Sequence, residues 1–250
     1  MENLAYLWMI LESVVYIMSR AKRKRKYVQK QKRLERKKKG KLVRFDLQNS
    51  SRKYPGINNK YCYQTNIHRL IYKDGTFSNV KYQASNITQC NFKNCKLYGV
   101  DFCNTNLKKT SFKGAILKDV LFFNCNLKEV DFENAKFENV YFVSTNINVC
   151  KHLVMDAGCV YMNKYPKIDL DGETETALFR LSQISRIFKY HVLHVDKTKI
   201  NMWTFKILYD KYGSDTGRAL LALTRRKDKR GFFTISSYMS SVKLTTGNGN

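Results

Sequence analysis

Residues 85–147 read SNITQCNFKNCKLYGVDFCNTNLKKTSFKGAILKDVLFFNCNLKEVDFENAKFENVYFVSTNI. A small residue, an asparagine and a branched aliphatic recur there every 20 residues, as Ser85-Asn86-Ile87, Thr105-Asn106-Leu107, Cys125-Asn126-Leu127 and Thr145-Asn146-Ile147. Thr65-Asn66-Ile67 stands one interval earlier. A period held without slippage marks a solenoid, in which each coil stacks on its predecessor.

Within that period lies a finer one of five. Large apolar residues fall at Ile87, Phe92, Leu97, Phe102, Leu107, Phe112, Leu117, Phe122, Leu127, Phe132, Phe137, Phe142 and Ile147, each with a small residue two positions before it. A strict period of five fits neither an amphipathic helix nor an ordinary strand. Four fives per coil imply a square cross-section whose sides are very short strands. Val80, Val100, Val120 and Val140 run in register with Tyr82, Phe102, Phe122 and Phe142. The large residues fill the axis, and the small ones let the walls approach it.

These residues resemble the pentapeptide-repeat family, whose unit is a small residue, Asp or Asn, Leu or Phe, and two variable residues. The resemblance runs from Thr65 to Cys150, about a third of the chain. It implies a mainly β solenoid, a right-handed quadrilateral parallel β-helix, with Asn66, Asn86, Asn106 and Asn126 in an outward ladder. Lys96, Ile116, Leu121 and Tyr141 depart from Asp or Asn at that position, which is tolerable because it points away from the axis. With strands ~4.8 Å apart, four to five coils make a rod about 20 Å long.

Around the rod we expect an apolar helix and basic helical arm at 1–44, a connecting segment at 45–64, the solenoid at 65–152 and a linker at 153–172. A small α-helical domain at 173–244 and a disordered tail at 245–250 complete the chain. Asp171 is placed to cap a helix with Glu173 and Glu175 in its first turn. Leu178, Leu181, Ile184, Phe188 and Val192 continue that helix at helical spacing. A second helix closes at Gly213, a third starts near Ser214, and Thr234 opens a fourth.

The net charge of +26 is concentrated near the N-terminus. Arg20 to Arg44 holds fifteen Lys or Arg and one acid, Glu35, whereas Tyr61 to Cys150 holds eleven basic and seven acidic residues. Lys22, Arg23, Lys24, Arg25 and Lys26, with Arg36, Lys37, Lys38 and Lys39, form a block that seeks a polyanion, either nucleic-acid phosphate or an anionic leaflet. Arg225, Arg226 and Lys227 give the helical domain a second basic site. Before the arm, Leu4, Leu7, Trp8, Leu11, Val15 and Met18 share one helical face. Fifteen helical residues span ~22 Å, short of a ~30 Å hydrocarbon core. That leaves a helix docked on a partner or on the solenoid, an interfacial anchor, or a short span; in the last two, the adjoining cations mark the cytoplasmic side.

The seven cysteines do not read as a disulfide set. Cys90, Cys95, Cys125 and Cys150 occupy the small inward position and act as small apolar residues, which places the chain in a reducing compartment. His191 and His194, three apart, could share a metal with Cys159, but ordinary core or surface histidines account for them, and we expect no metal and no cofactor. The sequence has no Gly-rich phosphate loop, nucleophile elbow or H-E-x-x-H motif. Asp131, Glu133 and Glu138 should point outward. The expected function is a non-catalytic scaffold, not an enzyme, whose rod faces bind a protein partner and whose arm holds it at a membrane surface or nucleic acid. A homodimer is compatible with this reading. The expected location is cytoplasmic, with the chain either peripheral to or anchored in the inner face of a membrane. The alternative is a nucleic-acid accessory protein gripping phosphates through the arm and Arg225 to Arg230. Some family members protect DNA topoisomerases by imitating DNA, which requires an acidic rod; this rod is slightly basic.

Overall fold

The computed structural model describes residues 46–247 and eleven arm positions: Arg20, Arg23, Lys24, Tyr27, Val28, Gln31, Lys32, Leu34, Glu35, Lys38 and Lys39. The chain divides into two compact units, Met1–Arg44 and Phe45–Asn250. In the first, the described residues from Arg20 to Lys38 are helical and exposed. The stretch Leu4 to Met18 lies outside the described residues.

The second unit is built on a parallel β-solenoid. One ladder runs through β2 (Gly56–Tyr63), β4 (Thr76–Gln83), β6 (Lys96–Cys103), β7 (Ile116–Phe123), β8 (Lys136–Val143) and β9 (Cys159–Met162), every pairing parallel. The opposite side pairs β1 (Asp46–Gln48), β3 (Asn66–His68) and β5 (Asn86–Thr88), and single bridges carry that column on from Asn86 to Asn106 and Asn126. Six ladder strands ~4.8 Å apart make a rod of about 24 Å.

Five residues cover one side and one corner. The second residue after each central apolar one takes the left-handed conformation, as at Asn79 (φ 51°), Asn104 (φ 49°), Asn124 (φ 49°) and Asn139 (φ 52°). Among residues with a side chain, Asn and Asp tolerate that region best, which explains why they recur there.

Two columns of stacked rings fill the axis. Tyr82, Phe102, Phe122 and Phe142 follow one another at ring spacings of 5.5, 5.2 and 5.1 Å. Tyr72, Phe92, Phe112 and Phe132 do so at 4.9, 5.1 and 5.4 Å. The columns meet edge to face, Phe112 against Phe122 at 6.1 Å and 82°, an arrangement aromatic quadrupoles favour. The small inward residues also tie coils together: Thr105 Oγ1 donates to the Tyr82 carbonyl at 3.2 Å, and Cys125 Sγ to that of Phe102 at 3.1 Å. All seven cysteines are free.

Two expected boundaries move. The expected connector at 45–64 is, over its described residues 46–64, the first coil, because Asp46 pairs with Asn66 and Gly56 with Thr76. Residues 153–172 are not a plain linker, because β9 adds a rung to the ladder. Val140 pairs with Cys159, a step of 19 residues, so the period breaks while the pairing continues.

The helices are α1 (Gly172–Gln183), α2 (Ser185–Phe188), α3 (Met202–Tyr212), α4 (Asp215–Arg225) and α5 (Ile235–Thr246). Asp171 Oδ1 accepts from the Thr174 N–H at 2.7 Å, capping α1. Gly213 (φ 57°) ends α3. Thr234 and Ser237 form a reciprocal capping box on α5, satisfying two otherwise orphaned N–H groups. The first helix does not continue to Val192: it stops at Ile184 and restarts as α2. The expected tail at 245–250 overlaps α5, which reaches Thr246; residues 248–250 lie outside the described residues.

Candidate functional site

The helices close one side of the rod. The outward residues Leu121, Tyr141, Cys103 and Val143 share a hydrophobic core with Leu178, Phe205, Leu220, Ile235 and Tyr238. Leu121 is 1% exposed and Tyr141 7%. The position points away from the axis as expected, but at Leu121 and Tyr141 it leads into a second core and not to solvent. Lys96 and Ile116, at the equivalent position on the neighbouring side, are exposed.

Two charged side chains lie within that interface. Lys81 Nζ donates to the Tyr190 carbonyl at 2.8 Å. Asp101, beside Lys81 in the ladder, accepts from the Ile235 N–H at 2.9 Å through Oδ2, while Oδ1 has no hydrogen-bond partner. Both are buried. Burial pushes the Asp101 carboxyl up to about 7, against the opposing pull of Lys81 and the Ile235 N–H. A carboxyl that ionises near 4 in the unfolded chain then binds more protons in the native state across pH 4 to 7. Its contribution to stability is full below about 4 and is lost as pH rises through about 7. In urea melts from pH 4.5 to 7.5, the native chain should lose stability relative to Asp101→Asn as pH rises. Parallel curves for the two proteins would show that Asp101 does not titrate in this window.

The other sides carry ladders of polar side chains. Asn106 Nδ2 donates to Asn86 Oδ1 at 3.3 Å and Asn124 to Asn104 at 2.7 Å. Asp131, Glu133 and His152 bring one potential ligand atom each within 4.8 Å of one another. Lys113 already bridges the two carboxylates, 3.2 Å from Asp131 and 2.5 Å from Glu133, and His152 Nδ1 lies 2.9 Å from Asp131. The arrangement is a surface ion-pair cluster. His191 and His194 are not on a helix; His194 Nε2 bonds to the Leu178 carbonyl at 2.9 Å inside the bundle, and burial lowers its basicity.

Of the basic residues singled out in the arm, Arg23, Lys24, Lys38 and Lys39 are described, and all four are exposed. Lys22, Arg25, Lys26, Arg36 and Lys37 lie outside the described residues. Arg225 ends α4, and Arg226 and Lys227 follow in an exposed loop. Among the described residues no helix is long and apolar enough to cross a membrane. Sequence reasoning missed Lys81 and Asp101. Their signal was a Lys and an Asp on adjacent rungs, next to Leu121 and Tyr141 in the same column.

The model of pentapeptide repeats matches residues 85–124 in eight copies. Among curated proteins, no relative matches the chain. Solved structures similar to part of this chain include QnrB1, a plasmid-mediated fluoroquinolone resistance protein, at 14% identity and a TM-score of 0.34 over 42% of this chain. This chain spans 56% of that one. Rfr23, a pentapeptide repeat protein from the cyanobacterium Cyanothece 51142, is similar at 14% identity and a TM-score of 0.22, over 44% of this chain and 84% of that one. A pentapeptide repeat protein from the Arabidopsis thaliana thylakoid lumen is 15% identical with a TM-score of 0.23, over 40% of this chain and 68% of that one. The matched copies lie inside a ladder whose register of 20 links Asp46 to Asn66 and Asp131 to Lys151, so this stretch of the solenoid is built of pentapeptide repeats.

Proposed function

We propose that the chain is a non-catalytic scaffold in which the rod presents a binding surface to a protein partner and the basic arm holds it at a polyanion. The observation that carries this reading is how the rod distributes its side chains. Most apolar residues of the rod point to the axis or to the protein's own helices, while ladders such as Asn86–Asn106 and Asn104–Asn124 point outward. A ribbed surface fixed by an aromatic core loses little conformational entropy on binding, which suits recognition. The side under the helices is closed to a partner, so binding belongs to the others. A second copy of the chain is one candidate partner.

The arm supplies the second half of the reading. Arg20, Arg23, Lys24, Lys32 and Lys38 are helical and exposed. We assign Leu4, Leu7, Trp8, Leu11, Val15 and Met18 to an interfacial anchor beside them, with the protein on the cytoplasmic face of a membrane. Apolar burial and attraction to anionic lipid then cooperate. Deleting residues 1–19 should release the protein from anionic vesicles in flotation although the Arg20 to Arg44 charges remain. If that deletion leaves vesicle binding intact, the anchor is wrong. If it is neutral and loss of the Lys22 to Lys41 charges abolishes a steeply salt-dependent gel shift, the arm's polyanion is nucleic acid.

A further inference from the structure

An open cleft of about 740 Å³ lies between the rod and α5 with the loop before it. Its walls are pinned together. Asn79 Nδ2 donates to the Gly231 carbonyl at 3.2 Å, and Asn79 Oδ1 accepts from Thr234 Oγ1 at 2.8 Å. Gly99 (φ 62°) lets α5 come close, because a Cβ there would stand 2.8 Å from the Ser236 Cβ. The cleft is therefore built into the docked structure and needs no ligand to open it.

Its chemistry favours anions. Lys118, Arg226 and Arg230 line it against one carboxylate, Asp119, which is itself 4.0 Å from Lys211 and bonded to Asn139. Arg230 is forked onto Asp228 at 3.0 Å and Lys118 is paired with Glu138 at 2.5 Å, so among the described residues Arg226 is the lining cation that makes no ion pair. Arg226 lies over the Phe232 ring, 5.5 Å from its centroid. A guanidinium stacked on a ring keeps its N–H donors in plane and free to fork onto a phosphate. Tyr98, 36% exposed, adds an aromatic face to the same cleft.

Going beyond the scaffold reading, we infer that this cleft binds a single strand of nucleic acid, a phosphate toward Arg226 and a base on Tyr98. Cations beside an exposed ring are what an unpaired strand requires, since its bases offer π faces that a duplex keeps stacked inside. Of the basic residues singled out near the C-terminus, Arg226 lines the cleft and Arg225 and Lys227 do not. Lys118, Arg230 and Tyr98 complete the set from positions distant in sequence.

The test uses the full-length protein with the Lys22 to Lys41 charges neutralised, so that the arm does not mask the cleft. Anisotropy of a labelled ten-nucleotide oligo-dT is followed across a salt series. Tyr98→Ala should weaken binding about tenfold without altering the salt slope, as expected for one lost base stack. Arg226→Ala should reduce the slope by about one, the signature of one lost phosphate contact. Arg226→Lys should restore the slope but not the full affinity, because it keeps charge and loses the fork. Circular dichroism checks that each variant is folded. No oligo-dT binding without the arm, equal affinity for the parent, Tyr98→Ala and Arg226→Ala, or equal competition by polyglutamate would each overturn the proposal.

Discussion

Phe122→Ala should cost about 3–5 kcal/mol in a urea or thermal melt, the range for deleting a fully buried phenyl ring. Phe122 is 0% exposed. It stacks on Phe102 at 5.2 Å and Phe142 at 5.1 Å, and meets Phe112 and Phe132 edge-on at 6.1 and 5.9 Å. Removing it interrupts one ring column at mid-rod and takes away its edge contacts to the other. The cavity has little means of collapsing, because the walls around it are held by the ladder through Leu121–Tyr141 and Phe122–Phe142. Lys128→Ala, on an exposed rung, should stay within about 0.5 kcal/mol, as surface changes usually do. Equal losses for the two would mean that the inward position has been misassigned.

The axis was legible in the sequence because each inward residue repeats at a fixed interval, and interior packing leaves that position little choice. The ends were not. In the first coil the positions that precede Ile57 and Cys62 by two hold Pro55 and Lys60, where the later coils hold Cys95 or Ala115 and Val100 or Val120 respectively. The terminal coil has a neighbour on only one side, so Lys60 can sit exposed in register with buried Val80 and the repeat signal disappears. At the other end a single missing residue, Val140 to Cys159, removes β9 from any search at 20. Neither irregularity prevents strand pairing, which depends on the backbone and not on side-chain identity.

Helix caps were legible for a local reason. Asp171, Gly213 and Thr234 act within their own turn, and the structure uses all three as caps or stops. Docking of the helices was not legible, because it depends on contacts more than a hundred residues apart, such as Asp101 to Ile235 and Lys81 to Tyr190. The cleft depends on the same docking. Tyr98 and Lys118 look like ordinary solvent-facing rungs until α5 and Arg226 are brought against them.

Leu121→Asn restores the residue type that the repeat pattern prefers at this position, yet it should destabilise the protein by about 3–5 kcal/mol. Two terms combine. Leu121 is 1% exposed beneath the helices, and withdrawing a buried leucine loses about 1.5–3 kcal/mol of apolar burial. The amide put in its place enters a core shared with Leu178, Phe205 and Leu220, where an unsatisfied polar group costs a further 1–3 kcal/mol or so. Ile116→Asn makes the same change toward the repeat pattern one side away, where the residue is 36% exposed, and should shift stability by less than about 1 kcal/mol. The loss at Leu121 should appear as earlier release of the helices. Limited proteolysis would then cut near the 163–171 segment before the rod, whose own columns the substitution leaves intact. A Leu121→Asn protein as stable as Ile116→Asn would mean that the helices do not rest on this face in solution.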